Sequence, residues 1–63
     1  MVLKEAVIKR LESKIAEAQF VMDKLEKNAV GVGSHNFELI DDYEKALNMK
    51  CEAQEMLSSL QNK

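Results

Sequence analysis

The sequence predicts an all-α fold, a two-helix hairpin that dimerises into an antiparallel four-helix bundle. Three observations predict it. The 63-residue chain contains no proline, so nothing in it forces a helix to kink or stop. Apolar residues recur at helical spacing through both halves. The two glycines, Gly31 and Gly33, sit together near the middle, where a chain reversal would use them. These features describe one domain over residues 1–63. It has a first helix over about residues 2–28, a turn over about 29–35 and a second helix over about 36–61.

In the first helix, Ile8, Leu11, Ile15, Ala18, Met22 and Leu25 recur at alternating spacings of three and four. That is a heptad seam, which keeps one stripe of a helix turned toward a neighbour. Leu3, Val7 and Val21 widen the stripe on one side, as expected in a bundle rather than a two-stranded coil. Glu5–Lys9 and Asp23–Lys27 place an acid four residues before a base, the favourable order on a helix surface. Lys24 and Lys27 suit the negative end of the helix dipole.

The turn follows from the residues around Gly31. Asn28 or Gly31 can adopt the left-handed conformation that ends a helix, and Gly33 allows a second bend. Val30 and Val32 read as plugs for the end of the core, because two valines are too few to pair as a strand. Ser34 or Asn36 offers a side-chain oxygen to cap the next helix. Gly31, Gly33, Ser34 and Asn36 are thus the expected turn and cap residues.

The second helix opens with Glu38, Asp41 and Asp42, acids that the positive end of its dipole favours. Beyond them its apolar arc is broad. At about 100° per residue, Leu39, Ile40, Tyr43, Ala46, Leu47, Met49, Ala53, Met56, Leu57 and Leu60 cover more than half the circumference. The polar remainder is Asp41, Glu44, Lys45, Asn48, Glu52, Glu55 and Ser59. Such an arc needs more than one neighbour. The first helix is one, and a second copy of the chain is the simplest source of the rest.

Size leads to the same expectation. Chains this short usually need disulfides, a metal or oligomerisation to fold well. Cys51 is the single cysteine, which leaves no intrachain disulfide. Together with the absence of a signal-peptide pattern, it points to a reducing, cytoplasmic setting. His35 is the only histidine, with no second soft ligand near it in sequence. No metal and no cofactor are expected, and oligomerisation remains.

Net charge is −2, divided as six bases against five acids in residues 1–35 and three bases against six acids in residues 36–63. Neither half carries the clustered bases of a phosphate-binding surface. Lys4, Lys9, Arg10 and Lys14 are the nearest approach to one, and Glu5 and Glu12 interrupt them. No apolar run approaches the roughly 20 residues of a membrane span, and the first helix lacks the basic excess of a membrane-surface helix.

Four features invite a chemical reading. Backbone amides in the glycine turn could cradle an anion, but phosphate-loop spacing is absent and acids follow at once, so the turn reads as a capped reversal. His35 and Glu38, three apart at a helix start, could meet their copies across a dimer axis and hold a metal. Bundle metal sites draw their ligands from mid-helix instead, so His35 reads as a surface residue. No partner for acid–base catalysis lies in reach of it by spacing. Lys50 and Gln54 fall within the apolar arc, with Asp42 near its edge. The expected arrangement lays the Lys50 stem on the core with its ammonium at the rim; as a register-fixing residue it would face a carboxylate from the partner chain. Phe20 lies nearly opposite the first seam, above Val2, Ala6, Ser13 and Ala16, and marks a second surface for a partner protein. Cys51, at the margin of the arc, reads as a small buried hydrophobe.

The turn Gly31-Val32-Gly33-Ser34-His35, between helices rich in Ala, Glu, Lys and Leu, resembles short uncharacterised helical-hairpin proteins of phage genomes. That resemblance implies the cytoplasm of an infected bacterium and no particular activity. The residues themselves point to a non-catalytic structural or adaptor module that binds itself as a homodimer and, through its outer faces, another protein. The self-association core is expected to contain Ile8, Leu11, Ile15, Ala18, Met22 and Leu25 with Tyr43, Leu47, Ala53, Leu57 and Leu60. The alternatives are a hetero-complex with another helical protein and a nucleic-acid-binding dimer using the Lys4, Lys9, Arg10 and Lys14 face.

Overall fold

The computed structural model describes the backbone of residues 2–32 and 37–61, and the side chains of residues 2–29 and 37–61. It contains two helices, α1 (Val2–Val32) and α2 (Phe37–Gln61), packed along each other as a hairpin. Gly33, Ser34, His35 and Asn36, expected in the turn and cap, lie outside the described residues.

α1 runs about one turn past its expected end near residue 28 and carries Gly31 within it. Packing accounts for the extension. Ala29 continues the heptad of Leu11, Ile15, Ala18, Met22 and Leu25, and it is half-buried. A glycine costs a helix only about 1 kcal/mol relative to alanine, so one further seam contact is enough to carry the backbone across it. The side chains of Val30 and Val32, expected as core plugs, are not among those described.

The seam of α2 is also a heptad: Leu39, Tyr43, Ala46, Lys50, Ala53, Leu57 and Leu60 alternate at spacings of four and three. Two cross-helix pairs fix how the seams meet. Lys50 bonds Gln19, and Tyr43 bonds Glu26. Moving seven residues forward on α1 therefore moves seven residues back on α2, so the helices are antiparallel. The same register sets Gln54 beside Ile15, with which it shares a groove, and brings Gln61 level with Ile8. Residues 2–7 of α1 extend beyond α2 as an overhang of about 9 Å, at ~1.5 Å per residue. Val2, Leu3 and Val7 are exposed there because no helix lies opposite them.

The core is thin. Leu11, Ala18, Met22, Ala46 and Ala53 are buried, and among the described residues no large side chain is buried completely. Ile8, Ile15, Leu25, Tyr43, Leu57 and Leu60 are half-buried, whereas Leu47 is exposed. Alanines at Ala18, Ala46 and Ala53 let the backbones approach and leave room for the Lys50 stem between them. The hairpin measures 47 × 14 × 14 Å with a radius of gyration of 14.5 Å, against about 11 Å for a compact chain of this length.

Candidate functional site

No helix encloses the seam, so each side of it is open. In a heptad, the residue after the second seam position and the residue before the first lie on opposite sides of the stripe. On α1 these rows are Glu5, Glu12, Gln19, Glu26 on one side and Val7, Lys14, Val21, Asn28 on the other. On α2 they are Ile40, Leu47, Gln54, Gln61 and Asp42, Met49, Met56. In an antiparallel pair corresponding rows lie alongside one another. The hairpin thus has one flank carrying Gln19 and Glu26 and another carrying Val7, Val21, Met49 and Met56.

The first flank carries a polar network of its own. Lys50 Nζ donates to Gln19 Oε1 at 2.6 Å, in a part-buried position. Gln19 Nε2 in turn donates to Asp23 Oδ1 at 3.0 Å. The amide is oriented by charge at both ends, its oxygen toward an ammonium and its nitrogen toward a carboxylate. One heptad away, the Tyr43 hydroxyl donates to Glu26. Desolvation first, then that hydrogen bond and the negative charges of Glu26 and Asp23, hold Tyr43 above the ordinary tyrosine value of 10.0. Lys50 is half-buried with its ammonium at the rim, and the atom facing it is an amide oxygen of its own chain. Spacing alone had not singled out Gln19 or Glu26; the signal is that each repeats one heptad from the other, as their partners Lys50 and Tyr43 do.

The second flank is lined mainly by apolar side chains. Val7 is 45% exposed, Val21 36% and Met56 54%, while Met49 is half-buried. Lys14 and Asp42 are the charged members of its two rows, both exposed.

The remaining features sit apart from either flank or add little chemistry to it. A groove of about 440 Å³ is lined by Ile15, Gln54, Leu57, Ser58 and Gln61; it holds amide and hydroxyl groups and no titratable side chain. Phe20 is 65% exposed, and Lys24 Nζ covers its ring at 5.7 Å from the centroid, a surface cation–π contact one helical turn long. Cys51 is exposed, contrary to its expected burial: it lies well round from the α2 seam, where a thiol faces solvent. Lys4, Lys9, Arg10 and Lys14 are all exposed, but their spacing spreads them round α1. Lys4 falls in line with the seam, Lys14 beside it, and Lys9 and Arg10 on opposite sides of the outer face. His35 lies outside the described residues, so its pairing with Glu38 has no geometry here. Among the described residues no three His, Cys, Asp or Glu side chains converge as metal ligands, and no helix is long and apolar enough to cross a membrane.

Comparison with protein-family models, curated proteins and solved structures finds no match to this chain.

Proposed function

We propose that the chain is a non-catalytic structural or adaptor module, and that its hairpin pairs with a second copy to form an antiparallel four-helix bundle. It acts by docking rather than by chemistry, in the cytoplasm, and its outer surface, Phe20 included, is left for another protein.

The observation that carries this reading is the surface the hairpin leaves open. Its accessible area is 5176 Å² for 7.2 kDa, whereas a compact monomer of that mass exposes about 4,100 Å². The excess of about 1,000 Å² slightly exceeds the ~800 Å² that each partner buries in a standard interface. The half-burial of Ile8, Ile15, Leu25, Leu57 and Leu60 supports the same reading, because a second layer of helices would cover more of them.

Sedimentation equilibrium over a concentration series, with circular dichroism on the same samples, tests the proposal. The expected result is twice the chain mass, with helicity declining as dilution favours the monomer. A fully helical monomer at all concentrations would overturn it. An unfolded monomer that becomes helical only with another helical protein would replace the homodimer by a hetero-complex.

A further inference from the structure

We infer that the second copy docks on the flank carrying Val7, Val21, Met49 and Met56, with the two hairpins antiparallel and centred on Val21 and Met49, so that Lys14 of each chain meets the partner's Asp42. This inference rests on the self-association reading above and adds to it a face, an orientation and a charge pair.

The choice of face follows from what each flank would bring to a two-fold axis. On the flank of Gln19 and Glu26, α1 contributes Glu5, Glu12 and Glu26, and the neighbouring cation, Lys50, is already held by Gln19. Two copies meeting there about Gln19 would bring Glu12 of each chain onto the partner's Glu26, acid on acid, which costs affinity in a desolvated contact. Ile40 and Leu47 are apolar on that flank, but they do not supply the missing cation. The other flank is apolar on both helices at one level, Val21 beside Met49, and carries one charge of each sign.

The orientation follows from the spacing of those charges. The hairpin register sets Lys14 within one residue of the level of Met56, Val21 of Met49, and Asn28 of Asp42. The three levels are one heptad apart. A two-fold axis lying in the interface and crossing the helices at the middle level lays Val21 and Met49 on their own copies. It also carries the Lys14 level onto the partner's Asp42 level, twice by symmetry. With the hairpins parallel, Lys14 would stand level with the partner's Lys14 and Asp42 with the partner's Asp42. Moving the axis to the Lys14 level would again set lysine on lysine. Centring on Val21 sets Lys14 and Asp42, the charges among the flank's described residues, each level with an opposite charge of the partner. Within a single hairpin the pair does not form, since Lys14 and Asp42 lie about 20 Å apart along the axis at ~1.5 Å per residue.

Charge reversal tests the pair and cysteine placement tests the face. Lys14→Glu and Asp42→Lys each set two like-charged pairs across the axis, and each is expected to weaken dimerisation about tenfold or more. The double variant is expected to return the dimer to within about threefold of the parent. Both residues are exposed, so circular dichroism at high concentration serves as the folding control. In a Cys51→Ser background, Val21→Cys is expected to give a covalent dimer on oxidation, and Leu47→Cys is expected to give none. A parent that dimerises but cross-links through Leu47→Cys would overturn the face and leave self-association standing. Single variants that dissociate without rescue in the double would overturn the antiparallel pairing. A parent that stays monomeric would remove the inference together with the reading beneath it.

Discussion

Two residues that look ill-suited to a helix seam, Lys50 and Tyr43, explain how the hairpin holds its register. Each occupies a seam position of α2, and each sends its polar tip sideways to a residue one helix across, Lys50 to Gln19 and Tyr43 to Glu26. Slipping the helices by one turn would leave an ammonium and a hydroxyl without these acceptors, so the pairs favour one alignment over its neighbours. Tyr43 is the single tyrosine of the chain, which makes its titration directly readable. Its value in the folded chain is raised above 10.0 by desolvation, by the bond to Glu26 and by the nearby carboxylates. The folded state therefore holds the proton more tightly than the unfolded state. The stabilisation is complete below the unfolded value, and it is lost as pH rises through the raised folded value. Tyrosinate absorbance should appear at higher pH in the folded protein than in urea, and Glu26→Gln should move the folded midpoint back down. Coincident midpoints in the folded and unfolded chains would count against the contact.

At the scale of the helices, the seam of α1 was legible from spacing alone, because Ile8, Leu11, Ile15, Ala18, Met22 and Leu25 repeat without interruption. The seam of α2 was harder to separate from its surroundings. Its apolar arc includes Ile40, Leu47, Met49 and Met56, and periodicity gives only an angle about the axis. Which part of that arc faces α1 depends on register, and register depends on contacts such as Lys50–Gln19 that join residues far apart in sequence. Ala46 therefore occupies the buried position while its neighbour Leu47 is exposed. Cys51 is exposed for a related reason: the width of an apolar arc says little about a small residue at its margin. Glycine as a stop signal predicts an end to α1 near residue 28, whereas the backbone remains helical through Gly31. If Gly31 is helical, Gly31→Ala should stabilise the chain by about 0.5–1 kcal/mol. A left-handed glycine at the helix end would give the opposite sign. Urea unfolding at fixed protein concentration separates the two, and a lowered midpoint would place the end of α1 before Gly31.

For the whole molecule, the decisive balance is between a rod 47 Å long and a seam whose buried members are Leu11, Met22 and three alanines. Ordering two helices of this length fixes many residues for little buried apolar area, and isolated hairpins of that kind gain little from burial until a further layer covers them. In the bundle proposed here, association and folding are one event, since the surface that binds the second copy also covers Leu25 and Leu60. Stability must then follow mass action. Each tenfold rise in chain concentration favours the folded dimer by about 1.4 kcal/mol, so Tm should climb steadily over a dilution series while the shape of the transition stays that of a single step. Leu11→Glu sharpens the test, because it places a carboxylate at a buried seam position with no cation to meet it. It should remove the helical signal at micromolar concentration, where the parent remains folded. A Tm independent of concentration would mean that one hairpin suffices, and the open flank beside Val21 and Met49 would then need an occupant other than a second copy.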